Sequence, residues 1–196
     1  MMPSMKSDVA VVVLAGGDGH RIGGNKPLTE LGGERLIDRA LRQASSWSGT
    51  LAVSVRDSLQ IGGMELELVI DEPGVEGPVA GLISALKFAK TRHCEFVLTI
   101  AVDTPFLPAD LHDRLLSAIG AQSCAIASSG GRLHPTSGLW RTSATEFVQQ
   151  FASSGKRSLA GLAEALGCMK VEWPIAAIDP FFNINSPDDL RKAGTL

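Results

Sequence analysis

A short run of aliphatic residues, Val9–Leu14, constrains the fold more than any other part of the sequence. The run is continuous and is followed, after Ala15, by Gly16 and Gly17. Strands buried on both faces of a parallel sheet have this pattern, whereas strands with one face in water alternate apolar and polar residues. The sequence therefore predicts a buried parallel strand that ends in a glycine-rich turn.

Predicted strands alternate with predicted helices over about the first 130 residues. The spacing of apolar residues predicts helices from Leu36 onward, at 78–90 and at 109–119. Apolar runs predict the other strands, at Leu51–Val55, 67–70, 96–102 and 124–127. This alternation is typical of an α/β fold, with a mostly parallel sheet and helices on both of its faces. Such sheets bind ligands at the carboxyl ends of their strands, so the residues after each strand are the candidates for a functional site.

Beyond residue 130 the pattern is less regular. Extended segments are predicted at 139–140 and 170–173, and helices at 144–151 and 159–166. A last helix is predicted to begin at Ser186, because this potential cap is followed by Pro187 and two acidic residues.

Charge and cysteine content exclude several classes of function. The 196 residues include 18 basic and 21 acidic side chains, a net charge of −3, which argues against a broad surface for nucleic acid or anionic membranes. Cys94, Cys124 and Cys168 are far apart and form no zinc or disulfide pattern, which suits a reducing cytoplasm. The run Val9–Leu14 is too short for a signal peptide or a membrane span.

The segment 14–27, LAGGDGHRIGGNKP, is rich in glycine and carries Arg21 and Lys26. Glycines allow several backbone N–H groups to approach one anion, and the two cations supply charge, so the segment suits phosphates. Two known phosphate motifs fit it poorly. A dinucleotide-binding turn needs a helix immediately after the glycines, and a P-loop needs Lys followed by Ser or Thr, whereas Pro27 follows Lys26. The pyrophosphate loop of nucleotidyltransferases is the third alternative.

Asp103 follows the predicted strand 96–102 and is the candidate metal ligand of the chain. An acidic residue at the carboxyl end of a central strand can hold a divalent cation against phosphates, because Mg²⁺ prefers hard oxygen ligands. A simple capping role for Asp103 is the alternative. Together with the glycine-rich segment, Asp103 favours a metal-assisted phosphate site.

Taken in order, the motifs resemble those of the molybdenum cofactor guanylyltransferase family, the MobA-like nucleotidyltransferases. They are the loop at 14–27, GPVAGL at 77–82, DTPFLP at 103–108, GRLHPT at 131–136 and FFNINSPDDL at 181–190. The resemblance covers nearly the whole chain. It implies a three-layer Rossmann-like nucleotidyltransferase fold and a single domain over 1–196, with a nucleotide-binding part at about 8–128 and an acceptor-binding part at about 129–196.

The resemblance also implies a reaction, in which GMP passes from GTP to the phosphate of molybdopterin and pyrophosphate is released. GTP and molybdopterin would be the substrates and Mg²⁺ the cofactor. The implied setting is the cytoplasm, without nucleic acid or membrane partners but with transient contact to proteins that handle the cofactor.

The family's site residues carry over position by position. Nucleotide binding is implied for Leu14, Ala15, Gly16, Gly17, Arg21, Lys26, Asp71 and Asp103, with Arg21, Lys26 and Asp103 as the catalytic residues. Metal binding is implied for Asp103 and Asn185. Acceptor binding is implied for His134, Lys156, Arg157 and Asn183. On the residues alone, His134 also fits a hydrogen-bonded structural role, and Lys156 with Arg157 also fits a solvated surface pair.

Two positions depart from the family pattern. In the first, Asn25 stands where the family has an acidic residue before the lysine, and the loop is one residue shorter than in the family. In the second, the family's Asn-x-Asn-Arg is replaced by VSVR at 53–56. The alternatives to the main interpretation are a cytidylyltransferase or other related transferase, a non-catalytic protein that binds nucleotide or cofactor, and an NADP-dependent reductase.

Overall fold

The computed structural model describes residues 8–17, 26–61 and 66–195. Its strands are β1 (Val9–Leu14), β2 (Glu30–Leu31), β3 (Glu34–Arg35), β4 (Leu51–Val55), β5 (Leu68–Ile70), β6 (Phe96–Ala101), β7 (Cys124–Ser129), β8 (Arg132–Arg141) and β9 (Met169–Trp173). Its helices are α1 (Leu36–Trp47), α2 (Pro78–Thr91), α3 (Leu111–Ala118), α4 (Thr145–Ser153), α5 (Leu159–Ala165) and α6 (Pro187–Ala193). Within these ranges, no helix has the length and apolar character needed to cross a bilayer.

Seven strands of the described ranges form one sheet, in the order β5-β4-β1-β6-β8-β7-β9. The neighbours among β5, β4, β1 and β6 are parallel, as are β7 and β9. β8 alone runs antiparallel to its neighbours, β6 and β7. The predicted α/β fold with a mostly parallel sheet is therefore confirmed.

β1 is buried on both faces, as its continuous apolar run predicts. Val9, Val11 and Val13 belong to a core cluster with apolar residues of α1, α3 and α6. Ala10 and Val12 belong to a second cluster, with residues of α2, α4 and α5. The sheet is thus the middle of three layers. The aliphatic side chains on both faces of β1 are buried away from water, which stabilises the fold.

β8 differs most from its prediction, which placed extended structure only at 139–140. It is ten residues long and includes Pro135. Its pairing with β7 is irregular, since Ile126 lies opposite Gly138 while the next residue, Ala127, lies opposite His134. Proline is tolerated at such an irregularity because no ladder hydrogen bond is needed there. β8 joins the two predicted parts of the chain in one sheet.

The carboxyl ends of the parallel strands meet at one edge of the sheet. Leu14 at the end of β1 lies opposite Ser54 in β4 and Ala101 in β6. Val55 at the end of β4 lies opposite Ile70 in β5. The segments that follow these four strands therefore leave the sheet side by side.

Candidate active site

A cleft lies where β1, β4, β5 and β6 end. Its lining includes the described residues for which nucleotide binding is implied, namely Leu14, Ala15, Gly16, Gly17, Lys26, Asp71 and Asp103, together with Asn183 from the acceptor set. The predicted phosphate ligand Arg21 lies outside the described residues. Ser54 and Thr136 also line the cleft, and the sequence alone assigns them no role.

The Lys26 ammonium group joins the two predicted metal ligands. Its Nζ donates to Asp103 Oδ2 at 2.5 Å and to Asn185 Oδ1 at 2.7 Å. The side chains of Lys26 and Asp103 are only 12% and 14% exposed, so little water screens this pair. One carboxylate oxygen and one amide oxygen therefore already converge on a single positive charge.

Residues 183–185 are held against Asp103 by backbone and side-chain bonds. The N–H of Ile184 donates to the carbonyl oxygen of Asp103 at 2.9 Å, and the Ile184 side chain is fully buried. Thr104 Oγ1 donates to Asn183 Oδ1 at 3.1 Å. Because Ile184 anchors the middle of the segment, Asn183 lies in the lining of the cleft, whereas Asn185 is outside that lining and reaches Lys26.

The predicted helix start at Ser186 is confirmed and fixes the far end of this segment. Ser186 Oγ accepts from the N–H of Asp189 and donates to Asp189 Oδ2, which also accepts from the N–H of Asn185. The hydrogen bond from Ser186 and the N–H of Asn185 lower the pKa of Asp189 below its ordinary value. Asn185 thus stands directly before a capped helix, α6.

Asp71 enters the cleft from the end of β5 and packs between two glycines. Its Oδ1 accepts a short hydrogen bond from Ser54 Oγ. A Cβ at Gly16 would overlap Asp71 Oδ2, and a Cβ at Gly81 would lie 2.9 Å from Ser54 Oγ. Burial raises the pKa of Asp71, while the Ser54 hydroxyl and the Arg56 charge oppose that rise. These glycines are needed for close approach rather than for flexibility.

Comparison with known proteins identifies the family of this chain. Residues 11–168 match the model of the MobA-like NTP transferase domain. The chain belongs to the MobA-like NTP transferase family. A molybdenum cofactor guanylyltransferase of Mesorhizobium japonicum is 39% identical over 202 residues, covering 98% of this chain and 97% of that protein. One of Cereibacter sphaeroides is 34% identical, covering 94% and 95%. The chain is accordingly a nucleotidyltransferase.

Two solved structures of transferases have a fold similar to that of this chain. A molybdopterin-guanine dinucleotide biosynthesis protein A from Archaeoglobus fulgidus has a TM-score of 0.76 and 27% identity, over 95% of this chain and 97% of that one. A 2-C-methyl-D-erythritol 4-phosphate cytidylyltransferase from Thermus thermophilus has a TM-score of 0.70 at 22% identity, over 97% and 98%. The second likeness is one of fold alone.

The region after the glycine-rich segment also separates this transferase from a dinucleotide-binding protein. The 3₁₀ turn Lys26–Leu28 and the β2–β3 hairpin intervene before α1 begins at Leu36. In the dinucleotide motif a helix starts directly at the glycines, so that its N-terminus faces the pyrophosphate. In the described part of this region, residues 26–35, no α-helix begins, which does not fit the NADP-dependent alternative.

His134 of the transferase lies behind the cleft rather than in its lining. Its side chain is buried, its Nε2 is 2.7 Å from Ser129 Oγ, and its ring stacks on Phe181 at 4.7 Å between centroids. Ser129 Oγ donates to Asp179 Oδ1 at 2.8 Å, so its single proton is used and His134 Nε2 is the donor of the other bond. This arrangement favours the structural role that the sequence left open.

The basic turn at 155–157 lies at the rim of the cleft. Arg157 forms an ion pair with Glu76, and a Cβ at Gly77 would lie 3.5 Å from the Arg157 carbonyl oxygen. Gly77 itself lines the cleft and has a φ of 77°, a conformation that favours glycine. Lys156 Nζ lies 5.3 Å from the centroid of the Phe151 ring. Arg157 thus lies beside the cleft, although neither Lys156 nor Arg157 is among the residues that line the cleft.

The two valines that replace the asparagines of the family's Asn-x-Asn-Arg pattern point away from the cleft. Val53 and Val55 are fully buried in the core cluster beside α1. Ser54 and Arg56, which alternate with them, line the cleft. Because successive residues of a strand point to opposite faces, the two valines replace polar residues on the core side of β4.

Proposed function

We propose that this transferase moves GMP from GTP to the phosphate of molybdopterin and releases pyrophosphate. The observation that carries the proposal is the convergence of Lys26, Asp103 and Asn185 at the end of the glycine-rich loop. The names of the relatives, molybdenum cofactor guanylyltransferases over nearly the whole chain, support the choice of base and acceptor.

The acceptor's chemistry suits the residues that the cleft provides. A phosphate monoester has a second pKa near about 6 and is largely ionised at neutral pH, so it is already a nucleophile. The reaction therefore needs charge neutralisation and alignment more than a general base. Lys26 supplies positive charge inside the cleft, and we assign Arg21 the same task.

The donor set at Asp103 fits a divalent cation. Asp103 Oδ2 and Asn185 Oδ1 already accept from one ammonium nitrogen, so the two oxygens are spaced for a shared cation. No group of three or more His, Cys, Asp or Glu side chains in the described ranges could hold a metal by itself. Mg²⁺ suits such a site, because it takes one or two protein oxygens and completes its shell with waters and phosphates. When bound, it would neutralise charge on the reacting phosphates.

The nucleotide would lie between the glycine-rich loop and α2. Gly16 and Gly17 bring backbone close to the cleft, while Gly77 and Pro78 place the positive end of the α2 dipole at its other side. Asp71, held by Ser54, offers a hydrogen-bond acceptor to the nucleotide. These groups orient the substrate, and the reaction gains chiefly from that positioning and from electrostatic stabilisation.

The acceptor would enter from the side of Asn183 and the basic turn. Asn183 lines the cleft beside Asp103, and Arg157 stands at the rim, where Lys156 and Arg157 are suited to the acceptor's phosphate. His134 would contribute from behind, by supporting Phe181 two residues before Asn183.

Pyrophosphate release in the presence of GTP, Mg²⁺ and molybdopterin tests the proposal. We expect release that requires all three, with CTP and ATP much less effective. A clear preference for CTP would contradict the guanylyltransferase assignment. Release that never depends on molybdopterin, or none with any nucleotide, would contradict the proposed reaction itself.

A further inference from the structure

A short turn after β4 places Gln60 against the base of the glycine-rich loop. The 3₁₀ turn Ser58–Ile61 is held by Asp57, whose Oδ1 accepts from the N–H of Leu59 at 2.9 Å and whose carbonyl accepts from the N–H of Gln60 at 3.0 Å. Ile61 is 1% exposed and packs in the core, whereas Leu59 is 83% exposed. The turn is therefore anchored at both ends, and Gln60 has a defined direction.

The Gln60 side-chain amide bridges the segments that follow β1 and β4. Its Nε2 donates to the carbonyl oxygen of Ala15 at 2.8 Å, with the carbonyl of Gly17 at 3.5 Å. Its Oε1 accepts from the N–H of Arg56 at 3.2 Å. Ala15, Gly17 and Arg56 all line the cleft. One side chain thus holds two walls of the candidate site together.

This bridge continues the β1–β4 ladder beyond its last backbone bond. The ladder ends where the N–H of Ala15 donates to the carbonyl oxygen of Ser54 at 2.8 Å. A glutamine amide offers a donor and an acceptor in one plane, as a peptide group does, so Gln60 supplies a further rung. Because a peptide bond is trans, fixing the Ala15 carbonyl on Gln60 turns the N–H of Gly16 to the opposite side.

We propose that Gln60 is a positioning residue for the triphosphate of the nucleotide, acting through the backbone of residues 15–17. The inference rests on the proposed binding of GTP. Glycine-rich backbone loses much conformational entropy when a ligand orders it. A loop whose first residues are already fixed loses less on binding, which strengthens the interaction without a direct contact from Gln60.

Binding of GTP and GMP to wild-type protein and to Gln60→Met, measured by calorimetry, tests this role. Methionine is close to glutamine in size but cannot form either hydrogen bond. Net hydrogen-bond contributions of about 1 kcal/mol correspond to roughly a fivefold to tenfold weaker binding of GTP. GMP lacks the outer phosphates, so its binding should weaken less than that of GTP. We expect the fold-loss of affinity for GMP to be smaller than that for GTP by a factor of at least about three.

Two control variants separate positioning from general stability. Leu59→Ala alters the exposed neighbour in the same turn. Gln43→Met removes a bond of the same kind elsewhere, from Gln43 Nε2 to the Leu107 carbonyl oxygen at 2.7 Å. Both should bind GTP like the wild type. The fitted stoichiometry reports the folded fraction, so partial unfolding of Gln60→Met does not obscure its affinity.

The outcomes distinguish this inference from the function on which it rests. Wild-type protein that binds no GTP contradicts both. Wild-type binding that is unchanged in Gln60→Met, or weakened equally for GTP and GMP, contradicts the role of Gln60 and leaves the transferase assignment intact. A loss that is at least about threefold larger for GTP than for GMP, and that is absent from both control variants, supports it.

Discussion

Lys26 Nζ lies 2.5 Å from Asp103 Oδ2, between two oxygens that suit a divalent cation. The second oxygen, Asn185 Oδ1, is 2.7 Å from the same nitrogen. The ammonium group and a metal ion would therefore compete for the same ligands in the nucleotide-free protein. Bound phosphates would relieve that competition, because they offer Lys26 other anionic partners.

Replacing Lys26 should have opposite effects on the affinity for a metal ion and on the affinity for the nucleotide. In Lys26→Met the competing charge is gone, so Mn²⁺ should bind the nucleotide-free protein several-fold more tightly, as followed by the paramagnetic resonance of free Mn²⁺. GTP should bind more weakly, because the proposed phosphate ligand is lost. Lys90→Met, in the last turn of α2, is the matched control and should change neither. Weaker Mn²⁺ binding in Lys26→Met would show that the ammonium group does not occupy the metal position.

Removing the Asp103 carboxylate should abolish most of the activity. A metal's electrostatic stabilisation of a transition state is worth several kcal/mol, so turnover of Asp103→Ala should fall by about 100-fold or more. The far-ultraviolet circular dichroism should stay native-like, since the backbone bond from Ile184 to Asp103 remains. Asp188→Ala removes an exposed carboxylate and should retain normal turnover. Near-normal turnover of folded Asp103→Ala would refute the metal role.

The packing of Gly16 on Asp71 predicts a coupled pair of substitutions. Gly16→Ala places a methyl group against Asp71 Oδ2, so it should destabilise the protein by about 1–3 kcal/mol, the usual range for overpacking. In an Asp71→Ala background the methyl group has room, and the cost should largely disappear. Gly49→Ala, where an added Cβ meets no described atom within 4 Å, serves as the control. Equal costs in both backgrounds, measured by urea unfolding, would argue against the close packing.

Burial of His134 predicts that stability falls in mild acid. Burial lowers the pKa of His134 below its ordinary value of 6.5, and the nearby Arg132 acts in the same direction, while Asp179 and Glu172 oppose it. Below about pH 6.5 the unfolded chain thus binds a proton more readily than the folded chain. The free energy of unfolding therefore decreases as the pH falls through that range. His134→Phe keeps a ring against Phe181 but does not titrate. Its unfolding free energy should decline less steeply between pH 7 and 5, by at most about 1.4 kcal/mol per pH unit. Identical slopes would contradict the shift.

Local sequence patterns predicted much of the sheet and part of the site. The continuous run of β1 required burial on both faces, and both core clusters confirm it. The motif at Ser186 predicted a capped helix because all of its signals lie within four residues. The family resemblance, carried by the ordered motifs, assigned Lys26, Asp71 and Asp103 to nucleotide binding, and all three line the cleft.

Other features had no local signal. β8 contains proline, glycine and polar residues and becomes a strand because β6 and β7 offer partners on either side. Gln60 meets Ala15 across 45 positions, and nothing in the turn sequence marks it as a ligand of the loop. The orientation of Val53 and Val55 into the core follows from which face of β4 lies under α1.

The sequence by itself determined that strands alternate with helices, that glycine and lysine follow the first strand, and that a carboxylate follows a buried strand. Each of these depends on neighbouring residues and on the polarity of a short segment. Only the tertiary structure decided that Lys26 meets Asp103 across 77 positions and Asn185 across 159. Such contacts depend on the order in which strands join the sheet, and that order is set by the packing of the two cores as a whole.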